Sequence, residues 1–168
     1  MYDSQYRFTG RHAKMVRALA GDAEGGGKIF QRYVDVLLVA PLAGFLFGEW
    51  IDIETIKEKS GEKPASIFLD QLNTERSKLE LAYQTIVLLD EKHEPDKDER
   101  ISKAFRISFD SVSAEDSSWY EGYVLGGVEV LYNKLVAQTD DDMDCMQAIS
   151  EFLDDFQNRY YPDDVEEG

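Results

Sequence analysis

The sequence predicts an all-α fold, a single-domain bundle of about six helices around a central apolar helix. Three observations carry this reading. Val36 to Gly48 is an uncharged apolar run bracketed by Asp35 and Glu49. Elsewhere apolar residues recur at spacings of three and four, the stripe of a helix with one buried face. Polar and Gly- or Pro-bearing segments punctuate the chain between those stripes.

The apolar run shows neither strand alternation nor a one-sided stripe. A helix apolar all round belongs in a core or a membrane. Thirteen residues are too few for a bilayer, which needs about 20. A buried helix from Lys28 to Trp50 is therefore expected, with a kink near Leu37 to Pro41. Gly44 and Gly48 share a face and leave a groove for a crossing helix. The expected partner carries Gly126 and Gly127, which cost helix propensity of ~1 kcal/mol each and need close packing to offset it.

The other elements follow in order. Residues 1–10 form a lead-in with Tyr2, Tyr6 and Phe8 available to pack. A first helix covers about residues 11–20, with Ala13, Val16, Leu19 and Ala20 inward. Gly21 to Lys28 is glycine-rich but is no phosphate loop. Asp22 stands where the first glycine belongs, Ile29 follows the lysine, and a helix precedes it; a hinge is expected. After the central helix a polar connector leads to Pro64, placed to open a third helix that runs to about Asp90. Phe68, Leu72, Leu79, Tyr83 and Ile86 mark its buried stripe, with Leu69, Ala82 and Leu89 beside it. Glu75, Arg76 and Lys78 interrupt it and are expected to project into solvent.

A fourth helix spans about Asp96 to Phe109, acidic at its start and basic at its end, which suits the helix dipole. Ile101, Ala104, Phe105 and Ser108 point one way. Ser113 with Asp116 resembles a capping box and opens a fifth helix to about Val136. The last helix begins at Thr139 to Asp142 and lays Met146, Ile149, Leu153, Phe156 and Tyr160 on the core. Residues 1–161 make the domain, and 162–168 an acidic, frayed tail.

The length of 168 residues suits one domain. The single cysteine, Cys145, excludes an intramolecular disulfide framework. The start of the chain is polar and basic, unlike a signal peptide. A cytoplasmic protein without a membrane partner is expected. The net charge is −16 and uneven. Residues 1–32 carry six Lys/Arg and three Asp/Glu, whereas 33–168 carry twelve and thirty-one. An acidic body repels nucleic-acid phosphates.

Candidate sites are few. Arg7, Arg11, Lys14 and Arg17 form a basic cluster that could hold a phosphate or an acidic partner, or could simply pair with the acidic body. Asp140, Asp142, Asp144 and Glu151 occupy positions 1, 3, 5 and 12 of a calcium-loop pattern. Cys145 stands where that loop needs glycine, and the apolar repeat reads as continuous helix, so no metal is expected. His12 and His93 sit in no catalytic motif. Aspartates around Cys145 oppose thiolate formation. Asp35 has Arg32 as an ordinary partner. Neither a catalytic residue nor a cofactor is expected. Trp119 and Tyr132, at the margins of the fifth helix, are interface candidates. The leading expectation is a non-enzymatic protein-interaction or accessory subunit of a cytoplasmic, bacterial-type assembly, through a protein partner or self-association. The alternatives are nucleic-acid or phosphate binding through the basic helix, and an acidic DNA mimic.

Overall fold

The apolar run folds as helix α2, Tyr33–Phe47, in a computed structural model that describes residues 1–2, 4–21, 29–56, 61–137 and 142–160. Seven helices are found among those residues, and the all-α bundle is the architecture. Two small strands supplement it.

Helix α2 is shorter than the expected span at both ends. Arg32 precedes it in an extended conformation, and its N–H donates to the Asp35 carboxylate (2.9 Å). That bond fixes the start of the helix. Gly48 ends it in the left-handed region, φ 73°, where a side chain would be strained. Nothing lies within 4 Å of a Cβ at Gly48, so its pairing with Gly44 as a groove is corrected: Gly48 is the helix stop, and Gly44 alone makes the close approach.

That approach is to α6, Ala114–Leu135, as expected from its glycines. A Cβ on Gly44 would come within 2.3 Å of the Tyr123 carbonyl oxygen. Helix α6 also touches α1 (Gly10–Leu19), α7 (Asp142–Tyr160) and the 3-10 turn Ile53–Thr55. The centre of the bundle is thus the α2–α6 pair rather than α2 alone. Tyr120, Val124, Val128 and Leu131 of α6 are buried against Val34, Leu37 and Ala40 of α2 and Val16 and Leu19 of α1 in one core. Each large apolar side chain removed from water contributes about 1.5–3 kcal/mol.

The expected third helix is corrected into three pieces: strand β2 (Ala65–Ile67), α3 (Leu69–Thr74) and α4 (Arg76–Leu89). Strand β2 pairs antiparallel with β1 (Tyr6–Phe8), Tyr6 opposite Ile67 and Phe8 opposite Ala65. Phe8, Ala65 and Ile67 are buried. Pro64 thus precedes a strand instead of a helix. The break between α3 and α4 falls at Glu75, which is buried, not projecting. Its carboxylate accepts from Arg32 (2.9 Å) and Lys78 (2.7 Å). Those hydrogen bonds hold it below the usual carboxylate range.

Helix α5, Lys97–Phe105, packs on α4 and is shorter than expected. Ala104 is buried but Phe105 is exposed, so the two do not share the inward face assigned to them. The turn before it is tied by Arg100, whose guanidinium is buried and donates to the carbonyls of Glu94 (2.8 Å) and Pro95 (3.0 Å). Helix α7 is also corrected. Ile149 and Phe152 meet the core, while Met146 and Leu153 face solvent. The apolar arc of α7 is wider than the strip that α6 covers. The glycine-rich segment 22–28 and the tail 162–168 lie outside the described residues. No helix among those residues is long and apolar enough to cross a membrane.

Candidate functional site

The basic cluster is drawn into the fold. Arg7 lies on β1, and its guanidinium donates to Gln5 Oε1 (3.0 Å). On α1, Arg11 pairs with Glu129 of α6 (2.7 Å) and Arg17 with Glu62 (2.6 Å). Arg17 also donates to the Lys63 carbonyl. Lys14 is exposed. His12 is buried, with Nε2 3.0 Å from the same Glu129 oxygen that Arg11 meets. Carboxylates of the body therefore balance Arg11 and Arg17. Each such pair contributes about 0–1 kcal/mol.

Helix also claims the acidic segment. Asp140 lies outside the described residues. Asp142 is the first residue of α7, and Asp144 and Glu151 lie further along the same unbroken helix. Seven residues along a helix separate Asp144 from Glu151 by about 10 Å of rise. A calcium loop instead folds its ligands around one point. Glu151 accepts from Gln147 Nε2 (2.8 Å). No group of three or more His, Cys, Asp or Glu suited to a metal occurs among the described residues. Cys145 is buried at the core edge, its Sγ 4.0 Å from the Leu135 carbonyl oxygen.

The built site lies elsewhere, around Trp119. This interface candidate is only 8 % exposed, so little of its ring is left to offer a partner. His93 stacks flat on it, with centroids 4.1 Å apart and planes 10° from parallel. Tyr123 meets it edge-on at 5.6 Å. Trp50 Nε1–H donates to the Trp119 carbonyl (2.9 Å). Tyr132, the other candidate, is half-buried and packs against the core.

A polar network fixes the imidazole. Asp90, just past α4, accepts from the N–H groups of Lys92 (3.0 Å) and His93 (3.2 Å) and from the Tyr123 hydroxyl (2.7 Å). These bonds shape the turn that carries His93. His93 Nε2 lies 3.2 Å from Asp116 Oδ1, which also accepts from Lys103 Nζ (2.9 Å). The other Asp116 oxygen accepts from the Ser113 hydroxyl (2.7 Å), while the Asp116 N–H donates to Ser113 Oγ (3.0 Å). The expected cap of α6 is thereby present. Burial alone would raise the Asp116 carboxyl, but hydrogen bonds from Ser113, Lys103 and His93 outweigh it and hold the group low. Burial likewise opposes the Lys103 charge, and the carboxylates of Asp116 and Glu94 outweigh it and raise the ammonium.

Imidazole beside carboxylate is the pairing of a general base. Here Lys103 already balances the same oxygen, and the ring is pinned between Asp116 and an indole. His93 is a wall of the pocket. That pocket, about 270 Å³, is lined by Trp50, Asp52, Ile53, Glu54, Trp119 and His93 among others.

Two further features escaped the sequence reading. The first is a half-buried carboxyl: Glu121 Oε1 accepts from the Tyr6 hydroxyl at 2.5 Å. Burial pushes Glu121 up to about 7, against the lowering effect of that hydrogen bond. The second is the outer face of α4, where Leu81 and Leu89 are exposed opposite the buried Leu79, Ala82, Tyr83, Ile86 and Val87. The leucine pair 81 and 89, two turns apart, could have revealed a second stripe.

No family model, curated protein or solved structure matches this chain.

Proposed function

We propose that the chain is a non-enzymatic interaction subunit of a cytoplasmic assembly, docking through the outer face of α4 and the end of α5. One observation carries the reading. Leu81, Leu89 and Phe105 are 62 %, 57 % and 64 % exposed on two helices that pack together. With its inner face already in the core, α4 also exposes two large leucines among the polar residues of its outer side, and α5 adds an exposed phenylalanine. Large apolar side chains left in water on neighbouring helices are a feature of interaction surfaces. The pinned state of His93 supports a structural rather than a proton-transfer role. The pairing of Arg11 and Arg17 with carboxylates supports a balanced N-terminal face over a phosphate site.

Light scattering coupled to size exclusion, at low and high salt, tests this together with pull-down from a lysate of the source cells. The expected result is an assembly or a captured partner that Leu81→Glu/Leu89→Glu abolishes, with the helical circular-dichroism signal retained. Both residues are exposed, so the double variant is expected to fold. Association that the double variant leaves intact, or its absence in both experiments with wild type, overturns the reading.

A further inference from the structure

We propose that the uncovered side of α7 docks a basic amphipathic helix of another protein. This goes beyond the docking face on α4 and α5, with which it shares no residue. The apolar repeat of α7 has two parts. Ile149 and Phe152 meet the core and Cys145 is buried, which fixes the inward side of the helix. Met146 and Leu153 carry the repeat round to the solvent side, where they are 69 % and 56 % exposed. Seven residues make two turns, so these side chains stand on one line, about 10 Å apart. Ser150 lies between them, small and exposed. A large, a small and a large residue in line leave a notch that a side chain of a second helix can enter, as a knob enters a hole.

Charge says which kind of helix. Glu151 follows Ser150 and Asp154 follows Leu153, so both carboxylates stand on one flank of the line, about 100° round the helix. Both are exposed. Glu151 accepts from the neutral Gln147 amide (2.8 Å), and neither carboxylate meets a Lys or Arg among the described residues. The cations described at α7 serve its other side. Lys134 pairs with Asp155 (2.6 Å), which is about half a turn round from Met146. Arg159 lies over the Phe47 ring, 4.7 Å from its centroid. Residues 138–141 and 161–168, which flank α7 in the chain, contain Asp and Glu but no Lys or Arg, so they add only negative charge to this end of the chain. A second copy of a chain with net charge −16 would bring like charge against like. Nucleic-acid phosphates are repelled in the same way. A helix with leucine-type residues on one side and Lys or Arg along its flank matches both features. Its apolar side covers Met146 and Leu153, as helices lie in grooves through residues at three- and four-residue spacings, and its cations meet Glu151 and Asp154.

The probe is a dye-labelled, amidated peptide of roughly 18 residues, about five turns, with Leu at heptad positions a and d and Lys elsewhere. A control peptide has the same composition reordered so that no apolar side forms. Fluorescence anisotropy reads binding to the full-length protein at physiological ionic strength, where long-range attraction between exposed charges is largely screened. The expected result is saturable binding of one peptide per chain, and at least tenfold weaker binding of the control. Met146→Ser/Leu153→Ser is expected to weaken binding about tenfold or more, and Glu151→Gln/Asp154→Asn about threefold or more. All four residues are exposed, and an unchanged helical circular-dichroism signal checks that each variant keeps the fold. Leu81→Glu/Leu89→Glu is expected to bind the peptide as wild type does, which separates this site from the α4 and α5 face. Absence of saturable binding, equal binding of the reordered peptide, or undiminished binding by Met146→Ser/Leu153→Ser overturns the proposal. So does loss of binding in Leu81→Glu/Leu89→Glu, which moves the peptide to the other face, or a self-assembly that Met146→Ser/Leu153→Ser dissolves, which makes a second copy the occupant.

Discussion

Gly127 of α6 and Ala40 of α2 meet backbone to backbone: a Cβ on Gly127 would lie 1.6 Å from the Ala40 carbonyl oxygen and 2.9 Å from the Gly44 nitrogen. Neither neighbour is a flexible side chain, so the helices themselves would have to separate. Gly127→Ala gains ~1 kcal/mol of helix propensity and loses more than that to overpacking, typically 1–3 kcal/mol and more against rigid backbone. The expected net is a loss of about 2 kcal/mol or more, a fall in Tm of roughly 4 °C or more for a chain of this size. Gly61 has nothing within 4 Å of its Cβ position, and Gly61→Ala is expected to leave the thermal melt unchanged. A Gly127→Ala protein that melts with wild type would show that the crossing is looser than this.

Asp116 joins three elements through one carboxylate, with Ser113 at the cap, Lys103 on α5 and His93 on the turn after α4. Removing it leaves Lys103 with Glu94 alone, 3.2 Å away. Asp116→Ala is expected to cost about 2–4 kcal/mol at neutral pH, as for a partly buried charge that loses its partner. The folded carboxyl is held below its ordinary value of 3.8. Its stabilisation is therefore present above that value and lost as the pH falls through the folded one. Urea midpoints at pH 7 and pH 3 check the sign: the gap between wild type and Asp116→Ala narrows in acid. A gap that is constant or widens would refute the assignment.

The main lines of the bundle were legible because they rest on local physics. An uncharged run, two adjacent glycines in a helix and a serine three residues before an aspartate each imply a specific consequence, and α2, the α2–α6 crossing and the α6 cap are those consequences. The β1–β2 pair was not legible, since three residues give too little alternation to separate from a helix or a loop. Glu75 misled for a different reason. A carboxylate reads as exposed unless its partner is known, and Arg32 is far away in sequence. The same holds for the pocket: Trp50, His93 and Trp119 are brought together only by tertiary contacts, through Gly122 and Asp116. Leu153 and Met146 erred in the other direction, because periodicity reports that a helix has an apolar face but not how much of that face a neighbour covers.

Glu121 supplies the clearest pH dependence. Its carboxyl is raised from 4.5 to about 7, with Tyr6 opposing the effect of burial. Tyr2 and Tyr120 approach the same group, and Glu121 raises both of their phenols in turn. A raised folded carboxyl stabilises the native state below its unfolded value. That contribution is lost as the pH rises from about 4.5 through about 7. Glu121→Gln cannot ionise, and its amide oxygen can still accept from Tyr6. The variant is expected to match wild type near pH 4 and to be more stable at pH 8 by roughly 1–3 kcal/mol, once the native carboxyl is ionised. Tyr6→Phe removes the hydrogen bond that lowers the group, so its transition is expected to move above that of wild type. Denaturant midpoints at half-unit intervals from pH 4 to pH 8 read both effects. Parallel curves for wild type and Glu121→Gln would place the carboxyl in water, and a downward shift in Tyr6→Phe would mean that the phenol does not serve the ionised form.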